Sequence, residues 1–216
     1  GFLRLTQAEK GRTPIYLNQF SVRIIGGREQ AGGYVEMEHG GAYQLCLRND
    51  RAQRCDARVE IEGTHVGTWR IDSRSAITLE RPGHDAGRFT FYRLGSPEAV
   101  SAALQAGSPN LGLVRVTFTP EKWQLVRPLA PVFSMPCISE GNADNILHPT
   151  WTTCNTAYVA GGTGLSGHSE QHFAAASEIE HDLTQQTVIH LRLVAARGEG
   201  ARPLTCYSSP IPPAVA

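Results

Sequence analysis

The residue run with the most chemical potential is Gly161-Gly162-Thr163-Gly164-Leu165-Ser166-Gly167-His168-Ser169. Gly162 and Gly167 hold the spacing of a phosphate-binding loop, in which backbone N–H groups cradle an anion and a Lys reaches the outer phosphates. His168 and Ser169 stand where that motif has Lys and Ser, so the gripping charge is missing. No apolar strand of parallel-sheet type precedes the run, and no convincing helix opens after it. The sequence therefore reads these glycines as a tight loop exploiting positive φ or close packing against a neighbour. Ser166 does not sit in a nucleophile elbow either, because that motif places Gly two before and two after the Ser.

His168 and His172 are four apart, and Cys137, His148, Cys154 and His181 are the other candidate ligands. Zinc sites show two close ligand pairs and this chain offers one, so no metal and no cofactor are expected. Asp56, Asp72 and Glu80 fall at polar strand positions or turns, where carboxylates are ordinarily solvated, and nothing marks a carboxylate pair for glycoside hydrolysis. Trp69, Trp123 and Trp151, with Tyr34, Tyr92 and Tyr158, supply aromatic surface. Trp69 lies in an alternating segment and reads as core. Trp151 lies in an irregular one and reads as a contact, a role for which aromatics are enriched. The expectation is a non-enzyme with an interface at Trp151, Gly162, Gly164, Leu165, Ser166, Gly167 and His168.

The elements that must position these residues are strands. Between residues 42 and 95 apolar and polar side chains alternate with period two, as a half-buried antiparallel sheet requires. Tyr43, Leu45 and Leu47 form one such set; Cys55, Ala57, Val59 and Ile61 form the next. Val66, Trp69 and Ile71 follow after Glu62-Gly63, then Ser75 to Glu80, then Arg88 to Arg93. Ser96 is a good N-cap, Pro97 suits the first helical position and Gly107 can end a helix with an Ala99, Val100, Ala103, Leu104 stripe. Val114, Val116 and Phe118 alternate again, as do Ile189, Leu191 and Leu193, with His190 and Arg192 facing out.

This pattern predicts an all-β fold: an antiparallel β-sandwich of jelly-roll type with one short helix and extended termini. Its expected divisions are an N-terminal arm at 1–32, a sandwich at 33–195 with an irregular insertion at about 128–167, and a C-terminal tail at 196–216. A hairpin turning at Asn49–Ala52 would bring Cys46 opposite Cys55. The two lie on opposite faces, so free thiols are predicted.

Twenty basic and twenty acidic residues cancel, which disfavours a nucleic-acid grip built on phosphate neutralisation. No apolar run approaches the ~18–20 residues of a transmembrane helix. Gly1-Phe2-Leu3-Arg4 carries neither an initiator Met nor a signal-type apolar stretch. Five irregularly spaced cysteines do not read as a disulfide framework, and the expectation is a reduced, intracellularly folded protein with no membrane and no nucleic-acid partner.

Two stretches carry a resemblance. One comprises Tyr43-Gln44-Leu45-Cys46-Leu47-Arg48-Asn49-Asp50, Arg54-Cys55-Asp56-Ala57, Ile61-Glu62-Gly63, Val66-Gly67-Thr68-Trp69-Arg70 and Leu79-Glu80-Arg81-Pro82. The other is Gly162-Thr163-Gly164-Leu165-Ser166-Gly167-His168-Ser169 with Gln171, Phe173 and His190-Leu191-Arg192-Leu193-Val194. Over roughly 33–125 and 160–195 the chain resembles a β-rich family of virion proteins from tailed bacteriophages and large DNA viruses. The resemblance implies a capsid cement or decoration protein on the capsid surface, folded in the host cytoplasm. Its partners would be the major capsid protein and neighbouring copies of itself. A carbohydrate- or receptor-binding virion module is the alternative, and a hydrolase on a sandwich scaffold ranks last.

Overall fold

The computed structural model describes residues 15–123 and 158–195. In chain order its elements are β1 (Ile15–Leu17), β2 (Phe20–Ile25), β3 (Arg28–Glu29), β4 (Tyr34–Met37), β5 (Gln44–Asn49), β6 (Cys55–Ile61), β7 (Thr64–Ile71), β8 (Ser75–Leu79), β9 (Arg88–Arg93), α1 (Pro97–Ser101), β10 (Leu113–Pro120), β11 (Val159–Ser166) and β12 (Thr187–Ala195). One sheet has the order β1-β2-β5-β8. The other runs β3-β4-β12-β10-β6-β7, with β11 pairing both β12 and β9. The molecule is thus an all-β, sandwich-like fold rich in antiparallel pairs, with a parallel β4–β12 pair inside the larger sheet. This strand order does not by itself assign a jelly roll.

The alternation read from the sequence produces the core directly. In β6, Cys55, Ala57, Val59 and Ile61 are buried while Asp56, Arg58 and Glu60 point away. Leu45 and Leu47 of β5 meet them from the opposite sheet in one apolar cluster. Pairing β6 with both β7 and β10 puts it in the sheet interior.

Three expectations need correction. The sequence predicts an arm with one or two short strands over 1–32, yet β2 lies between β1 and β5 within the four-stranded sheet. Phe20, Val22 and Ile24 are buried, and the Phe20 ring stacks on Phe118 of the facing sheet at 4.6 Å between centroids. Phe20, Val22 and Ile24 alternate along β2, and burying that face holds the segment in the sheet. Residues 1–14 lie outside the described residues. So do 196–216, which hold the whole expected tail, and the greater part of the expected insertion.

The second correction concerns the Cys46–Cys55 hairpin. β5 and β6 do not pair; the chain crosses from one sheet to the other between them. Buried Asn49 holds that crossing: its amide donates to Gln53 O at 2.8 Å and Asp72 O at 3.1 Å, and its carbonyl accepts from Arg51 N–H. Cys46 sits between Arg23 and Thr78 in one sheet, and Cys55 beside Ile71 in the other. Both thiols are free, as predicted, but separation into two sheets is the stronger reason. Burial pushes the Cys55 thiol up to about 12.

The third correction is the helix. Ser96 Oγ accepts the Ala99 N–H at 3.1 Å and Pro97 opens the first turn. The helix stops at Ala102, however, because Ala103 adopts φ 56°. Only Ala99 of the expected stripe is buried, and Val100 is 74% exposed.

Candidate functional site

The glycine run forms the strand β11 rather than a loop. Gly161 to Ser166 pair residue by residue with Arg93 to Arg88, while Val159 and Ala160 pair with β12. β11 therefore leaves one ladder and joins another at Gly161. Most of its backbone groups serve those ladders, and the Thr163 N–H turns to a side chain of the protein itself, so they do not form a cradle for a bound phosphate. The glycines are there for close approach: a Cβ on Gly161 would lie 2.2 Å from the Phe91 ring, on Gly162 2.2 Å from Glu62 Oε1, and on Gly164 2.6 Å from the Tyr92 ring. Positive φ, the other expected use, applies only at Gly167 within this run, at 61°.

Glu62 is the group that Gly162 admits. It stands in the β6–β7 turn at φ 55°, and its carboxylate accepts the Thr163 N–H and the Gly112 N–H. Burial pushes this carboxyl up to about 7, against the lowering effect of those N–H groups and of Arg192. Arg192 was expected to face solvent. It is instead 2% exposed and donates to Leu111 O and to Pro109 O, the latter at 2.9 Å. Those carbonyls satisfy a guanidinium that burial lowers to about 10. The buried Tyr43 places its hydroxyl 2.7 Å from Thr163 Oγ1.

Beside Glu62 lies a cavity of about 380 Å³, lined by Ile61, Val66, Phe89 and Leu104 with Thr64, His84, Thr163 and Leu165. A mixed wall of this kind, apolar with a few polar groups and one perturbed carboxyl, is the usual composition of a small-molecule site.

A second feature is the segment 167–181, which has no regular structure and lies across the β7 and β8 edges as a strap. Ser169 Oγ donates to Glu80, and the Gln171 side-chain amide donates to Thr78 O at 2.6 Å while accepting from Glu80 N–H at 3.1 Å. Gln171 thereby imitates one peptide unit of a neighbouring strand. Phe173 stacks under the Arg81 guanidinium at 4.4 Å and meets Trp69 edge-on. At the far end Arg70 donates to Ser177 O, and Asp56 takes Arg70 at 2.6 Å and His181 at 2.8 Å. Burial opposes ionisation of Asp56, but those two hydrogen bonds outweigh it and hold the carboxyl below its ordinary range. The Ser169 hydroxyl, ahead of Arg88 and Gln44, does the same for Glu80. Asp56 and Glu80, read from the sequence as solvated, are thus fastenings of the strap. Under its middle, Trp69, Gly67, Gln171 and Ala174 to Ala176 line a cavity of about 560 Å³.

The expected interface residues are divided. Gly162 and Gly164 are buried, Leu165 is 42% exposed on the Glu62 cavity, and Ser166 Oγ bonds Thr90 Oγ1 at 2.6 Å. Gly167 and His168 are exposed where the strap begins. Trp151 lies outside the described residues, as do Cys137, His148 and Cys154. Trp69, expected in the core, is half-buried and packs over Gly67. Among the described residues no three His, Cys, Asp or Glu side chains are placed to hold a metal ion.

Glu62, Arg192 and Gln171 escape a linear reading. Glu62 sits in a polar turn and Arg192 at an outward strand position, and their partners lie far along the chain. The available signal was the glycine run, whose missing Cβ atoms say that something must approach. No family model, curated protein or solved structure matches this chain.

Proposed function

We propose that this chain is a structural virion protein, a cement or decoration protein on the capsid surface that stabilises contacts between major capsid subunits and neighbouring copies of itself. In this reading it is not an enzyme, takes no cofactor and binds neither nucleic acid nor membrane. It folds in the host cytoplasm. The resemblance of roughly residues 33–125 and 160–195 to virion proteins supports the reading from the sequence.

The observation that carries it is an apolar rim at one end of the sandwich. Tyr16 and Leu17 of the edge strand β1 are 56% and 46% exposed, and Leu183 and Val188 are 71% and 38% exposed. Asn18 Nδ2 donates to Thr187 Oγ1 at 3.2 Å, and Arg51 donates to both Asn18 O and Gln185 Oε1, which draws these two segments together. A short edge strand bearing exposed apolar side chains is a template for pairing with another chain. Sandwich proteins that stay single ordinarily guard such an edge with charge or Pro.

Mass spectrometry of purified particles from the source of the sequence tests this. The chain should appear at a copy number of the order of the major capsid protein. Its absence from particles would overturn the reading.

The alternative, a carbohydrate- or receptor-binding virion module, draws on the strap cavity, where half-buried Trp69 lies beside Gln171 and His172. Binding on a glycan array that is lost in Trp69→Ala would favour it.

A further inference from the structure

We propose that the cavity beside Glu62 is a binding site for a primary ammonium group carried on a compact apolar stem. The proposal stands on this site alone and does not depend on the virion reading.

Ile61, Val66, Phe89 and Leu104 supply apolar surface, Thr64 supplies a hydroxyl, and Glu62 is the acidic member. No Lys or Arg is among the described residues that line the cavity, so an anionic ligand would meet the like charge of Glu62 with only the His84 imidazole to offset it. A cation would meet a carboxylate that two backbone N–H groups already hold in place. Such a group costs little to organise when a ligand arrives, because its position is set beforehand.

The groups that act on Glu62 from the surrounding elements are few. Arg192 of β12 attracts it, and Tyr43 approaches through Thr163. His84, in the segment between β8 and β9, lines the same cavity. The Arg192 guanidinium is engaged with the carbonyls of Leu111 and Pro109 and does not line the cavity. An ammonium ion bound from the cavity side would therefore add a counter-charge that the protein places only at one remove. Because burial raises this carboxyl to about 7, binding of the cation should displace its proton. Two sources supply the same chemistry, a free amine and the side chain of a lysine on a partner protein.

The test uses the intact chain with benzylammonium, with Nα-acetyl-lysine methylamide, and with benzyl alcohol as the neutral control. Amide shifts are followed by NMR at several pH values. The expected result is saturable binding of an ammonium probe with shifts at Thr163, Phe89 and Leu104. Its Kd should weaken by roughly tenfold from pH 8 to pH 6, as protonation of a carboxyl titrating near neutrality requires. Benzyl alcohol should bind more weakly and without pH dependence. In Glu62→Gln the ammonium probe should bind more weakly at pH 8 and its pH dependence should vanish. Tighter binding of benzylammonium would point to a free amine, and tighter binding of the lysine derivative to a partner's side chain. The proposal is overturned if neither ammonium probe binds the wild-type chain saturably at pH 8. Equal binding of benzyl alcohol, or shifts that map away from the cavity, would overturn it as well.

Discussion

The strands β5 to β10 and the segment from 158 to 186 are held by different means. The first group is fastened by apolar side chains alternating across two sheets, with residues such as Val59, Leu47 and Phe118 fully buried. The second contributes few large apolar groups. β11 lies close because Gly161, Gly162 and Gly164 lack Cβ atoms, and the strap is fixed by polar contacts to Thr78, Glu80, Arg81, Arg70 and Asp56. Apolar burial tolerates imprecision in where atoms sit, whereas close backbone approach and amide pairing do not. Substitutions should therefore fail in different ways in the two regions.

The largest effect is expected in the alternating region. Phe118→Ala removes the ring stacked on Phe20 and should cost about 3–5 kcal/mol in denaturant unfolding, the usual range for a buried aromatic. A cost below about 1 kcal/mol would mean the two sheets are not joined through this pair.

The next effect sharpens the contrast, because it comes from adding atoms. Gly162→Ala would place a methyl 2.2 Å from Glu62 Oε1. It should cost about 1–3 kcal/mol by overpacking, though the new side chain is apolar. Combining it with Glu62→Ala should recover part of that loss, and strict additivity of the two would refute the contact.

Glu62 also makes stability depend on pH, with a definite sign. Its carboxyl rises from 4.5 to about 7 on folding, so the unfolded chain ionises first as pH rises. Stability tied to this group is fully present below about 4.5 and is lost as pH passes through about 7. Between pH 5 and pH 8 the wild type should lose about 2 kcal/mol relative to Glu62→Gln, allowing for partial solvent access. Parallel pH profiles for the two proteins would contradict the burial assigned to Glu62.

A smaller effect is expected at the strap. Gln171→Ala removes the amide from Thr78 O and Glu80 N–H and should cost about 1 kcal/mol, with faster proteolysis at 167–181 and little change elsewhere. Gln171→Glu keeps the acceptor but not the donor and should restore only part of the protection. The smallest effect is nil. Millimolar ATP or GTP should leave the melting temperature unchanged, since β11 offers its backbone to two ladders and not to phosphate; a saturable rise would contradict this.

The same division decides what the sequence discloses. Period-two alternation is a local property, so β6, β7, β9, β10 and β12 can be read within a residue or two of their observed limits. β2 carries the alternation as well in Phe20, Val22 and Ile24, but nothing local to it shows that it pairs with β5 and takes a place inside the sheet. The partner of each strand is not a local property. Cys46 and Cys55 are separated by a turn-like sequence, yet Asn49 uses that turn to change sheets. The site is harder still to read. Nothing near Glu62 in the chain announces that Thr163 and Gly112 will donate to it, and an arginine at an alternating outward position gives no sign of the carbonyls awaiting Arg192.

The place of β12 in the larger sheet bears on the order in which the protein comes off the ribosome. This strand lies between β4 and β10 and also pairs with β11, yet it is the last described strand to be synthesised. Until Thr187–Ala195 emerges, β4 and β10 each present an unfilled edge, and β9 waits for β11 across the 67 positions between Arg93 and Gly161. The β4 edge therefore stays open from early in synthesis and the β10 edge from the time it is made until β12 follows, the condition in which strands find wrong partners. β12 closes both at once, so completion of the described sheet waits for the strand that is made latest among its members.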